Sequence, residues 1–259
     1  MHLQCDCRHK KIECPDRRRM EIALGLPTKW KELTRGFAFH ETIRSGFFGT
    51  SPRVMAFRID LRLFRPRILV APSVGDDRAL VSAMAKRDRV PLAVNGGFFT
   101  VYPTRSLGLL VDRGKQLNPL RQADWGVFSV VGQRAALTHA KRFRTPRALD
   151  FAIECGPRLV VDGKPTKLKR QKARRTALGI QSPERIVLVV STASLETAEL
   201  ARLFADAESD GGFGCRDALN LDGGSSTQIY CQLGAFRRIW DQGVRVTNAV
   251  AFESRGAKR

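Results

Sequence analysis

From Phe37 to Phe252 the chain is a succession of short apolar runs, many rich in β-branched residues, each closed by Gly, Pro, Asp or Asn. This recurrence constrains the fold more than any other feature, because runs of that length with those boundaries are strands. They predict strands over 54–60, 67–70, 107–112, 125–131, 151–154, 158–161, 176–181, 185–190, 217–221, 228–232 and 246–252, with Pro66 turning the chain between the first two. Only two stretches carry helical spacing. The first, 77–87, puts Leu80, Val81, Met84 and Ala85 on one face, with Ser73 and Asp76 ahead of it as an approximate capping box. The second, 195–208, puts Leu200, Leu203, Phe204 and Ala207 at i, i+3, i+4 and i+7, with Ser194 placed to cap it. Strands that do not alternate regularly with helices predict an α+β fold: a single β-rich domain with a mixed sheet and two principal helices. The expected organisation is a basic, Cys-containing extension (1–35), one domain (36–254) and a basic tail (255–259).

Charge narrows the partners. The 259 residues carry 45 Lys+Arg against 25 Asp+Glu, a formal net charge of +20, which favours anionic ligands without choosing among them. The densest basic stretch, Lys164 to Arg175, contains no aromatic residue on which a base would stack, so nucleic acid is disfavoured as a partner. A solvated loop and a polyanion-binding loop are the two readings of this stretch. No run reaches the ~20 apolar residues of a membrane span, and the polar, basic start shows no signal-peptide pattern. Of the six cysteines, Cys155, Cys215 and Cys231 lie in or beside apolar runs and read as buried free thiols. His2, Cys5, Cys7, His9 and Cys14 crowd the N-terminus, but their C-x-C spacing is unusual for zinc, and a frayed tail is the preferred reading.

Each helical stretch is followed by a short strand and then a double-glycine turn: Asn95-Gly-Gly-Phe-Phe-Thr100 after the first, Asp222-Gly-Gly-Ser-Ser-Thr227 after the second. This looks like a degenerate internal repeat, and two such units in one sheet would bring both turns to one edge. Paired glycines let a backbone approach a ligand closely, and their amides can line an anion-binding concavity. A tight hairpin satisfied by its own Asp and Ser is the alternative for the second turn. The phosphate-loop, dinucleotide, zinc-protease and nucleophile-elbow patterns are all absent, and four scattered histidines do not suggest a triad.

Five ordered motifs carry a resemblance: Asn95-Gly-Gly-Phe-Phe99; Cys155-Gly-Pro-Arg-Leu-Val160 with Asp162-Gly163; Arg175-Thr-Ala-Leu-Gly179; Asn220-Leu-Asp-Gly-Gly-Ser-Ser-Thr227; and Arg245-Val-Thr-Asn248. Together they resemble the phosphodiester glycosidase domain family over about 37–252. The resemblance implies hydrolysis of a glycosyl phosphodiester at the sugar–phosphate bond, on a substrate that includes phosphate-containing glycans. Members of the family often work outside the cytoplasm, so the location of this chain is left open. The chain departs from the pattern in passing directly from Gly224 to Ser225, and in carrying Glu154 and Cys155 where small residues are common.

The chemistry suits these residue types. Phosphate is a good leaving group, so the site needs a cationic grip, a carboxylate near the anomeric carbon, and polar groups for the sugar. Asp222 is the candidate carboxylate, as base or as nucleophile, since only carboxylate separation distinguishes the two. Arg175 and Arg245 are candidate phosphate ligands, a surface ion pair being the alternative for Arg245. Asn95 joins Asp222 and Arg175 as a catalytic candidate. Gly96, Gly97, Gly223, Gly224, Ser225, Ser226 and Thr227 form the candidate binding turns, and the matching motifs add Gly156, Thr176 and Asn248. Phe98 is pocket wall or core, and Glu154 a weaker second acid. No metal or cofactor is expected.

Overall fold

The computed structural model describes residues 27–43, 52–71 and 77–256. With strands numbered in chain order, the largest sheet runs β1 (Lys31–Thr34), β2 (Phe37–Ile43), β3 (Arg53–Asp60), β16 (Arg185–Glu196), β15 (Lys172–Ser182), β17 (Asp217–Asn220), β13 (Arg158–Val161) and β14 (Lys164–Pro165). A second sheet runs β11 (Arg134–His139), β10 (Gly126–Val131), β12 (Leu149–Cys155), β8 (Leu110–Asp112) and β9 (Lys115–Asn118). A third runs β19 (Phe236–Trp240), β18 (Ile229–Leu233), β5 (Leu92–Asn95), β20 (Asn248–Ser254) and β4 (Phe64–Val70). The hairpin of β6 (Phe99–Val101) and β7 (Thr104–Ser106) stands apart, and the two α-helices among the described residues are α1 (Val81–Arg87) and α2 (Thr197–Ala205).

The apolar runs are continuous because each of the three large sheets is covered on both faces. In β16, Ile186, Leu188 and Val190 enter a central core, while Val187 and Val189 enter a second core on the other side. The central core collects residues from all three sheets, among them Phe57, Phe128, Phe151, Leu178, Val94 and Phe252. The outer faces are closed separately. Leu200, Ala201 and Phe204 of α2 cover the largest sheet; Val81, Met84 and Ala85 of α1 cover the third; Ala140 and Phe143 cover the second. Cys155, Cys215 and Cys231 are free and buried, as their apolar neighbours indicated.

The expected α+β fold on a mixed sheet is corrected here. Strands hold 53% of the described residues and helices 12%. Every strand pair is antiparallel. The expectation that the two helix–strand–glycine units share one sheet is also corrected: β5 belongs to the third sheet and β17 to the largest. The helices are therefore short covers on outer faces, and the fold is β-rich.

Local details differ too. Pro66 lies inside β4 instead of turning the chain; β4 is an edge strand, where a missing N–H is tolerated. Helix α1 begins at Val81, whose N–H donates to Gln228 Oε1 at 3.1 Å; Ser73 and Asp76 lie outside the described residues, as does the N-terminal His/Cys cluster. Glu196, not Ser194, occupies the N-cap of α2. β1 pairs with β2, so the largest sheet reaches into the stretch assigned to the N-terminal extension.

Gly179 in β15 shows how closely α2 is seated. A Cβ there would meet Phe204 Cδ1 at 2.5 Å and Cys215 Sγ at 2.7 Å. Gly179→Ala is expected to lower stability by about 1–3 kcal/mol, by analogy with overpacked cores. Urea unfolding would show this as a lower midpoint at unchanged m-value, and an unshifted midpoint would refute the packing argument.

Candidate active site

The two double-glycine turns meet although their strands lie in different sheets. Asp222 N–H donates to Gly96 O at 3.0 Å, and Asn95 Nδ2 donates to Asp222 O at 2.6 Å. Asn95 Oδ1 in turn accepts from Thr176 Oγ1 at 2.7 Å and from Gln228 N–H at 3.1 Å. One fully buried side chain thus ties β5 to β15, to the Asp222 turn and to the entrance of β18. With oxygen and nitrogen both engaged, Asn95 positions the turn.

Asn248 secures the first turn from β20. Its backbone carbonyl accepts from Gly96 N–H at 3.0 Å, and its Oδ1 accepts from Gly97 N–H at 2.8 Å. This approach requires glycine at position 96, because a Cβ there would stand 2.0 Å from Asn248 Oδ1. At the second turn a Cβ on Gly223 would lie 2.8 Å from Arg174 O, and Gly224 adopts a φ of +60°. Two motifs that are distant in sequence are thus locked together by backbone contacts that side chains would block.

Asp222 is half-buried where these turns meet. Its Oδ1 accepts from Gly223 N–H at 2.9 Å, and Ser226 also hydrogen-bonds the carboxylate. Burial pushes the carboxyl pKa up, while the bonds from Ser226 and Gly223 pull it down; the net direction is upward. Ser225 is exposed at the rim, Ser226 and Thr227 are buried, and Thr227 Oγ1 has no hydrogen-bond partner. Phe98, at the end of the first turn, forms a wall with Trp125, their rings lying 5.2 Å apart. Gly156 packs against Trp125, and its carbonyl accepts from Asn220 Nδ2 at 3.0 Å.

The arginines separate by strand alternation. Arg175 is buried under α2: its Nε donates to Leu195 O at 3.2 Å, and its Nη2 donates to Thr197 Oγ1 at 2.9 Å and to Gln171 O. Burial there lowers its pKa. Its neighbour Arg174 shares the face of Thr176 and donates from Nε to Gly224 O at 2.9 Å. The Arg174 guanidinium also lies 4.9 Å over the Trp240 ring. Arg245 is exposed on the approach to β20 and does not lie unpartnered. Lys164, Lys167, Lys169, Arg170 and Lys172 are exposed, but Lys172 to Arg175 belong to β15, so the basic stretch is only partly a loop.

Glu154 is fully buried, and its Oε2 accepts from Leu109 and Arg121 N–H groups, both at 2.9 Å. Burial raises its pKa above the usual range despite those bonds. It fastens two loops. Sequence reasoning missed Arg174, Trp125 and Gln228. For Arg174 the signal was present: in a strand, i and i+2 share a face, so the partner of a site-facing Thr176 is Arg174. Among the described residues no three His, Cys, Asp or Glu side chains group as metal ligands.

A family model described as phosphodiester glycosidase matches residues 88–253, well over half of the chain. The chain belongs to the phosphodiester glycosidase family. The matched region begins just after α1 and contains both glycine turns, Arg174 and Trp125. The catalytic domain of zebrafish N-acetylglucosamine-1-phosphodiester alpha-N-acetylglucosaminidase, auto-inhibited by its pro-peptide, superposes with a TM-score of 0.64 at 16% identity, over 88% of this chain and 87% of that one. A hypothetical protein from Synechocystis gives 0.58 at 17% identity, over 88% of this chain but 64% of its own length. At these identities the likeness is one of fold. The uncharacterized Escherichia coli protein YigE is 29% identical over 98 residues, 34% of this chain and 38% of that protein. No helix among the described residues is long and apolar enough to cross a membrane.

Removing Asn95 tests the junction. Asn95→Ala leaves the Thr176 hydroxyl, the Gln228 N–H and the Asp222 carbonyl without their partner, and is expected to cost about 3 kcal/mol or more. Equilibrium unfolding measures it. A loss below about 1 kcal/mol would show that the turns are held by other contacts.

Proposed function

We propose that this protein hydrolyses a glycosyl phosphodiester at the sugar–phosphate bond, releasing the sugar and a phosphomonoester. One observation carries the reading: the Arg174 guanidinium reaches from β15 to the turn that bears the Asp222 carboxylate, donating to Gly224 O at 2.9 Å. A carboxylate beside the anomeric carbon and a guanidinium on the phosphate are what this reaction requires. Family membership supplies the reaction class.

In this scheme water attacks the anomeric carbon as the bond to the phosphate oxygen breaks. Asp222 takes the proton of the water, and the electron pair leaves on a phosphate that Arg174 stabilises. The Nε of Arg174 is committed to Gly224 O, so the Nη nitrogens are the ones offered to the ligand. A carboxyl whose pKa is raised by burial is a stronger base than a solvated one, which suits that role. Ser225 and the Gly96–Gly97 turn border the sugar, and the Phe98–Trp125 wall gives it an aromatic face. Arg175 anchors β15 to the start of α2 and leaves phosphate binding to its neighbour.

The test is a panel of methyl sugar-1-phosphate diesters of both anomeric configurations, with release of free sugar as the readout. Asp222→Asn is expected to lower kcat by roughly 10²–10⁴-fold, the usual range for a lost general base. Arg174→Gln should lower kcat/KM by about 10²-fold, whereas Arg175→Gln should act mainly on stability. Full turnover in Asp222→Asn would remove the assignment, and a larger activity loss in Arg175→Gln than in Arg174→Gln would reverse the arginine roles. The acid limb of kcat/KM is expected above the ordinary aspartate value of 3.8, with activity falling as the pH drops through the Asp222 pKa. That limb should vanish from the residual activity of Asp222→Asn.

A further inference from the structure

A cavity of about 490 Å³ adjoins the site, lined by Arg53, Met55, Thr192, Arg238, Ile239 and Trp240. Three features of register put it beside Arg174. Arg175 pairs with Ser191 and Ser191 with Val54, so Arg174, Thr192 and Arg53 sit at the same end of adjacent strands. Arg53 N–H donates to Thr192 Oγ1 at 2.9 Å across that edge. Trp240 pairs with Ile229, two residues after Thr227, and carries the Arg174 guanidinium over its ring. The order across this rim is therefore Asp222, Arg174, Trp240, cavity.

The cavity has the character of an anion site with an apolar wall. Arg53 Nη1 lies 2.8 Å from Glu41 Oε2, and Arg238 donates from Nε to Glu41 Oε1 at 3.3 Å and from Nη2 to Oε2 at 3.4 Å. Among the described residues these two guanidinium groups share one carboxylate, which leaves one positive charge in surplus at the wall. Stacking on Phe39 and Phe236, at 5.3 and 5.1 Å, holds Arg238 in place. Trp240 and Ile239, backed by the buried Met55, supply the kind of apolar surface on which the flat face of a sugar packs.

We infer that this cavity receives the group on the far side of the scissile phosphate, and that this group is a sugar bearing a second anion, such as another phosphate. The inference rests on the catalytic reading above for direction: with the anomeric carbon at Asp222 and the phosphate at Arg174, the next space along the rim belongs to the leaving group. The product retained there is a sugar with two phosphates, one on Arg174 and one on Arg53 and Arg238.

Binding tests this without turnover. Calorimetry on the full chain would compare glucose 1,6-bisphosphate with glucose 6-phosphate. The bisphosphate is expected to bind about tenfold more tightly. Arg53→Gln and Arg238→Gln should each collapse that preference to less than about threefold, and Arg238→Lys should retain more of it than Arg238→Gln. Thermal unfolding of each variant establishes that it is folded. Equal affinities in the unsubstituted protein would overturn the inference. A preference that survives both Gln substitutions would also overturn it, because that preference would then reflect the overall charge of +20. Turnover of the methyl diesters reports on the catalytic reading alone. If it is absent while the bisphosphate preference collapses as described, the anion cavity stands and its assignment to a leaving group falls.

Discussion

The site depends on the side-chain amide of Asn95. Among the described residues it alone donates to the Asp222 turn while accepting from both β15 and the start of β18. An amide can do this because it offers donor and acceptor at opposite corners of one rigid plane. A carboxylate would lose the donor, and an aliphatic side chain would lose both. Because the bonds are buried, they hold the turns with little freedom. Asp222 thus receives its place from a residue whose amide oxygen and nitrogen are both engaged within the protein.

Around this junction the close backbone approaches leave room for nothing larger than glycine. Gly96 admits Asn248, and Gly223 admits the carbonyl of Arg174. The arrangement is a set of mutual exclusions: each glycine makes space for a group belonging to another strand. The candidate site residues are thereby brought together from β15, from the turn after β17 and from the turn after β5.

Much of this was legible in the chain. The strands were visible because both of their faces are buried, as the successive apolar residues of β16 show. The two glycine turns stood out as a pair, and their helix–strand–turn order was real. What the pattern did not convey was which sheet each unit joins, since hydrophobic periodicity records burial and not partnership. The mixed sheet and the α+β description failed for that reason. The placement of Arg174, and not Arg175, at the Asp222 turn was hidden for a different reason. Adjacent arginines in a strand point to opposite sides, and their side can be fixed only relative to a neighbour whose facing is known, here Thr176. Trp125 and Gln228 carried no local signal, because their importance lies in contacts with Gly156 and Asn95 far along the chain.

Each of the three large sheets is covered above and below, by another sheet or by a short helical segment. A ligand therefore finds no broad surface to lie on and must be met where strands stop. This divides the labour of the chain between interior residues that hold the scaffold and a small population at the tips that meets the outside world. Exchanging the tips costs the interior little, so such a scaffold lets substrate preference drift while its foundations remain intact.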